Sequence, residues 1–143
     1  MKIRPSIKGV VARSAHPAGC NQAILNQIEA VKTASSGTPK SDLPKRVLIL
    51  GGSSGFGLAS RIALSFGDAK ANTISVSFER GPSEKGVGTA GWYNNIYFKE
   101  LAEQQGRIAT NILGDAFSPE IRLRFCKPLK SSLMAGWISL FTA

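Results

Sequence analysis

The chain has 143 residues, 43% hydrophobic and 19% charged; this length suits one domain with a sizeable core, and the composition excludes a disordered or fibrous chain. Two cysteines, Cys20 and Cys126, are too few for a disulfide scaffold and point to a reducing compartment. The net charge of +9 sits at the two ends: residues 29–120 carry ten basic residues against all nine acids, while 1–28 and 121–143 carry four basic residues each and no acid. Basic ends without a patterned helix and interleaved aromatics argue against a nucleic-acid partner, which stays a minor alternative resting on charge alone, and phosphorylated ligands account for the excess equally well. The longest apolar stretch, Met134 to Ala143, is broken by Ser139 and Thr142 and is half of the ~20 residues that a spanning helix needs. No apolar run follows Lys2, Arg4 and Lys8, so a secretion signal is not expected and a cytoplasmic location is.

In chain order, residues 1–13 alternate apolar and basic positions (Ile3, Ile7, Val10, Val11), which predicts a short strand or hairpin. His16–Gly19 reads as a turn. Ile24, Leu25, Ile28 and Val31 line one side of a helix over about 21–32, with the first three as core. Residues 34–44, rich in Ser, Gly and Pro, form a linker. Val47–Leu50 is an unbroken apolar run, the signature of a parallel strand covered on both faces. A glycine-rich turn follows, then a helix with Leu58, Ile62 and Phe66 spaced four apart, and a second strand over 73–78. A glycine-rich loop spans 80–91. A helix over 92–105 has Ile96 and Leu101 as its buried candidates, and a third strand over 107–113 ends at Gly114-Asp115-Ala116.

This order predicts an α/β fold: a Rossmann-like doubly wound parallel sheet, incomplete, preceded by a hairpin and helix. The domain plan is 1–44 for the N-terminal hairpin, helix and linker, 45–120 for the Rossmann-like portion, and 121–143 as an atypical basic tail. Right-handed crossovers bring Gly51, Glu79 and Asp115 to one sheet edge, where ligands bind in open parallel sheets.

Gly51-x-x-x-Gly55-x-Gly57 leaves a buried strand and opens a helix. The first glycine allows the turn, the second lets backbone approach a pyrophosphate, and the third lets the helix pack closely. The N–H groups of the first helical turn then hold the anion, with Ser53 and Ser54 able to add hydroxyl donors. Glu79 ends the second strand 22 residues after Gly57, where an acid binds the ribose 2′-hydroxyl of NAD and repels the extra phosphate of NADP. Arg80 partly offsets that repulsion. Asp115 and Ala116 line the adenine side. Gly51-x-Ser53-x-Gly55 also spells a nucleophile elbow, but such a triad needs a histidine after the serine, and the only histidine is His16. A phosphate loop ending in Gly-Lys-Ser/Thr fails because Leu58 follows Gly57.

Five segments carry a family resemblance: His16-Pro17-x-Gly19-Cys20, 47–61, Phe78-Glu79, Gly88-Thr89-Ala90-Gly91-Trp92-Tyr93-Asn94 and 114–118. Over residues 1–120 the chain resembles the N-terminal part of the NADH-dependent trans-2-enoyl-CoA reductase / enoyl-acyl-carrier-protein reductase family. The resemblance implies that Gly51, Gly52, Ser53, Ser54, Gly55 and Phe56 hold the pyrophosphate side of NADH, that Phe78 and Glu79 contact the adenosine ribose, and that Asp115 and Ala116 meet the adenine. It implies hydride transfer to the β-carbon of an enoyl-CoA or enoyl-acyl-carrier-protein, in fatty acid biosynthesis. A monomer is expected, although nothing in the sequence itself fixes the oligomeric state.

Family members are much longer, and their catalytic tyrosine and lysine are expected beyond residue 143. Neither local tyrosine reproduces that pair, since nine positions on from Tyr93 and Tyr97 stand Ala102 and Gly106. No catalytic residue is therefore assigned, and little activity is expected of the chain alone. A non-catalytic dinucleotide-binding module, or an unstable gene fragment, is the alternative. After Glu120 the family has an amphipathic helix and a fourth apolar strand. Here Pro128 is expected to break that helix, and the tail reads as foreign sequence, as a reading-frame change would produce. His16 with Cys20 is too small a set for a metal site. Cys20 and Cys126 read as plain thiols, and Trp92, Tyr93 and Phe98 read as core.

Overall fold

The computed structural model describes residues 7–8, 11–12, 15–38, 40, 42–84, 86–130 and 138–141. Lys2, Arg4 and Arg13 lie outside the described residues, as do the side chains of Lys8, Cys126, Lys127 and Lys130. The N-terminal hairpin joins β1 (Ile7–Lys8) antiparallel to β2 (Val11–Ala12), with Ile7 opposite Ala12.

Helix α1 (Pro17–Ala34) begins earlier than the apolar spacing suggests. His16 is extended and its Nδ1 accepts from Gly19 N at 3.1 Å, while Pro17, with no N–H to satisfy, opens the helix. The expected turn at 16–19 is thus a helix cap and first turn. Ile24 and Ile28 are buried and Val31 packs beside them. Leu25, expected in the core, is 39% exposed, because the contact with the rest of the domain runs along the 24-28-31 line.

The main sheet holds β3 (Arg46–Leu50), β4 (Asn72–Ser77), β5 (Ala109–Leu113) and β6 (Ile138–Phe141). Their order is β5-β4-β3-β6 and every neighbouring pair is parallel. The chain moves outward from β3 through α2 (Gly55–Phe66), β4 and α3 (Ala90–Gln104) to β5. It then crosses by α4 (Pro119–Lys130) to β6 on the far side of β3. That reversal makes a switch point between β3 and β6, the position at which open parallel sheets bind their ligands.

The apolar run of β3 serves two faces. Val47 and Ile49 pack with Leu64, Ala69 and Ala71 around the end of α2. Leu48 and Leu50 join Ile74, Val76, Ile112 and Ile121 on the α4 side. A third cluster joins α1, α2 and α3 through Ile24, Ile28, Leu58, Ile62, Phe66, Phe98 and Ala102. The buried line of α3 is Gly91, Asn95, Phe98 and Ala102. Ile96, expected there, is 37% exposed; Leu101 packs partly buried against the cluster.

The least expected core residue is Arg61, which is fully buried. Its Nε donates to Thr73 Oγ1 at 3.1 Å, Nη1 to Asn95 Oδ1 at 3.2 Å and Asn111 Oδ1 at 2.8 Å, and Nη2 to Thr110 O at 3.2 Å. The guanidinium lies 4.1 Å from the centre of the Phe98 ring. Burial lowers it to about 9, so it is charged at neutral pH yet bonded to neutral groups. Arg61 thereby ties α2, β4, α3 and β5 together.

Pro128 does not break the last helix: α4 runs through it to Lys130 and β6 follows. The proline falls in the final turn, so its missing N–H forfeits one bond near an end that frays in any helix. No helix among the described residues is long and apolar enough to cross a membrane.

Candidate functional site

The site grows from the turn between β3 and α2. Gly51 N donates to Val76 O at 2.8 Å, carrying the β3–β4 ladder one step beyond the strand. Gly51 then takes φ +83° and turns the chain upward. Gly52 lies against β4: a Cβ there would meet Ser75 Oγ at 2.6 Å and Ile49 Cγ2 at 3.2 Å. Ser54 is extended and precedes the helix, and its side chain makes no capping bond. Gly55 has φ +52°, and among the described residues no atom lies within 4 Å of where a Cβ would stand, so its outer side is open to them. The N–H groups of the first α2 turn have no acceptor within the helix, and the positive end of the helix dipole lies at this turn.

Glu79 stands directly beside this turn. Ser53 Oγ donates to Glu79 Oε1 at 2.6 Å, and Thr89 Oγ1 donates to Glu79 Oε2. The carboxylate lies against Gly91 in the first turn of α3, where a Cβ would collide with it. Asn94 Nδ2 reaches back to Ser53 O at 2.9 Å, so α3 braces both the glycine turn and the acid. Ser53 is buried and its hydroxyl is engaged with Glu79, so it is not the outward donor that the sequence suggested. Phe56 and Phe78 are each 85% exposed and flank the turn and the acid.

Asp115 reaches the same edge through β5, since Gly114 N donates to Ser77 O at 3.0 Å. Asp115 Oδ1 accepts from Phe117 N at 2.9 Å, and Ser118 Oγ bonds Asp115 O at 2.9 Å. Asp115 is exposed, whereas Ala116 is half-buried against the cluster under α4.

Sequence reasoning missed Thr89, Gly91 and Asn94. Their segment carried part of the resemblance but no chemistry, because no spacing rule reveals that a loop folds back onto a strand end. Trp92 and Tyr93 are half-buried rather than core, and both hold that loop. The Trp92 ring covers Gly81, and Tyr93 Oη accepts from Gly88 N at 3.1 Å. Phe98 is core. His16 Nδ1 is engaged by its own helix, and burial pushes the Cys20 thiol up.

A parallel sheet reversing at β3, a glycine turn into α2 and an acid at the end of β4 define a Rossmann-type dinucleotide-binding domain. Comparison with known proteins narrows this. Residues 2–84 match the NAD(P)H binding domain of trans-2-enoyl-CoA reductase, and residues 86–141 match the catalytic region of that enzyme. The chain belongs to the trans-2-enoyl-CoA reductase family.

An enoyl-[acyl-carrier-protein] reductase [NADH] of Photobacterium profundum is 63% identical over 131 residues, which are 92% of this chain and 32% of that protein. A trans-2-enoyl-CoA reductase [NADH] of Clostridium beijerinckii is 52% identical over the same share of each. The structure of Clostridium acetobutylicum trans-2-enoyl-CoA reductase in complex with NADH superposes on the whole chain with TM-score 0.87 and 41% identity, and the match covers 35% of that chain. The chain spans about a third of the length of the curated relatives it matches. The catalytic-region match runs to residue 141, across the segment that the sequence reading set apart as atypical.

Proposed function

We propose that the chain binds NADH along the carboxyl edge of its sheet and is the cofactor-binding part of an enoyl-thioester reductase. The observation that carries this is the Ser53–Glu79 hydrogen bond of 2.6 Å, which joins the glycine turn and the acid in one site. The open side of Gly55 leaves room for a diphosphate against the first turn of α2. In this reading Gly51, Gly52, Ser54, Gly55 and Phe56 form the diphosphate cradle, and Ser53 acts behind it by fixing Glu79. Glu79 accepts from the adenosine ribose beside Phe78, and Asp115 with Ala116 bounds the adenine.

The dinucleotide, when bound, supplies the hydride that reduces a 2-enoyl thioester at its β-carbon. The contribution of this chain is to bind and orient it. The acyl chain is carried by CoA or by a carrier protein, as the names of the two groups of relatives divide. The tyrosine and lysine that serve the chemistry in the family are assigned beyond residue 143, so the chain alone turns over little substrate.

Titration calorimetry of the 143-residue chain with NADH tests the reading. Binding that Glu79→Ala weakens by about tenfold, the size of one lost hydrogen bond to a charged group, supports it. Absence of binding, or an unchanged affinity in Glu79→Ala, overturns it. Rapid NADH oxidation with crotonyl-CoA by this chain would refute the placement of the catalytic pair.

A further inference from the structure

The Gly88–Asn94 segment has a role that the general dinucleotide-binding plan does not assign. The loop after β4 doubles back, so that Thr89 N donates to Arg80 O at 2.9 Å and Arg80 N to Thr89 Oγ1 at 3.2 Å. This places the Thr89 hydroxyl on one carboxylate oxygen of Glu79 while the Ser53 hydroxyl occupies the other. Gly91 leaves the space in which that carboxylate lies.

We propose that Thr89 and Gly91, with Ser53, are positioning residues that clamp Glu79 and thereby set the preference for NADH over NADPH. The inference rests on reading Glu79 as the ribose-recognising residue. A carboxylate oxygen has two acceptor directions. One on each oxygen is taken by a hydroxyl, which fixes the carboxylate plane and leaves the other pair to receive the ribose diol.

The clamp matters because of Arg80. A glutamate free to rotate could swing aside, and the exposed arginine next to it would then pair with a 2′-phosphate. Clamped from two sides and backed by the helix, Glu79 cannot leave, and its charge stays where the phosphate would have to sit. Discrimination thus depends on residues that need not touch the cofactor.

The test is the ratio of NADPH to NADH dissociation constants for the 143-residue chain, measured by fluorescence titration. Thr89→Val keeps the shape and removes the hydroxyl, and Gly91→Ala fills the space. Each is expected to bring the ratio about tenfold closer to one, while Thr89→Ser retains the wild-type ratio. Glu79→Ala serves as the reference. If it shifts the ratio but Thr89→Val and Gly91→Ala do not, the clamp is refuted while the reading of Glu79 stands. If Glu79→Ala itself leaves the ratio unchanged, or the wild-type chain binds neither cofactor, the reading fails and takes the clamp with it. If Gly91→Ala does not fold, Thr89→Val against Thr89→Ser decides alone.

Discussion

Replacing Arg61 tests whether neutral partners can hold a buried charge in this domain. Burial holds Arg61 well below the usual arginine range, at about 9, which corresponds to a desolvation cost of about 5 kcal/mol. Against it stand four hydrogen bonds to Thr73, Asn95, Asn111 and Thr110, worth about 1.5 kcal/mol each for a charged donor. The Phe98 ring adds about 1–2 kcal/mol. The favourable side exceeds the cost by about 2–3 kcal/mol, so Arg61→Met, which fills the space without donors, should destabilise by that amount. Arg61→Ala loses packing in addition and should cost about 4–5 kcal/mol. Both are read from urea midpoints, or from melting temperatures at about 3 °C per kcal/mol for a chain of this size. Linkage gives a second signature. From about pH 9 up to the ordinary arginine range the unfolded chain keeps the Arg61 proton that the folded chain has shed, so this residue's contribution to stability rises with pH in that window. The advantage of wild type over Arg61→Met should therefore grow between about pH 8 and pH 10.5. An Arg61→Met variant at least as stable as wild type would refute the reasoning, because desolvation would then outweigh the four bonds.

Gly52→Ala should destabilise by about 1–3 kcal/mol because its Cβ meets Ser75 Oγ at 2.6 Å. Ser75 Oγ is buried with no hydrogen-bond partner among the described residues, so Ser75→Ala should be neutral or stabilising, and combining the two should recover part of the loss in denaturant titration. His16→Ala removes the acceptor for Gly19 N and should cost about 1 kcal/mol by thermal melting. NADH at about 100 times its dissociation constant should stabilise the chain by about 2.7 kcal/mol. A cooperative melt that moves upward with NADH supports a folded binding module; a melt with no cooperative transition would support the unstable-fragment alternative.

The strands, the glycine turn and the shared edge were legible in the sequence because each has a local signature. Val47–Leu50 is apolar without alternation, as a strand covered twice must be, and Glu79 follows at the spacing that the crossover requires. What escaped was set by tertiary contact. Arg61 lies in the same helix as Leu58, Ile62 and Phe66, and its burial is made tolerable by acceptors that only the fold gathers around it, on Thr73 of β4, Asn95 of α3, and Asn111 and Thr110 of β5. Leu25 and Ile96 look apolar enough for the core, yet the helices turn them outward. Pro128 misled because a rule for helix interiors was applied to a final turn. The clamp on Glu79 depends on a reversal of the 80–89 loop, which no local pattern specifies.

The position of β6 has a consequence for biosynthesis. The strand that pairs with the second side of β3 is encoded some ninety residues downstream of it, so a ribosome-bound chain that has finished β5 still displays one bare flank of its central strand. Until Ile138–Phe141 emerges, that flank is a template for pairing with a neighbouring nascent chain. Slowing translation between Leu113 and Ile138 should therefore raise the insoluble fraction of newly made protein.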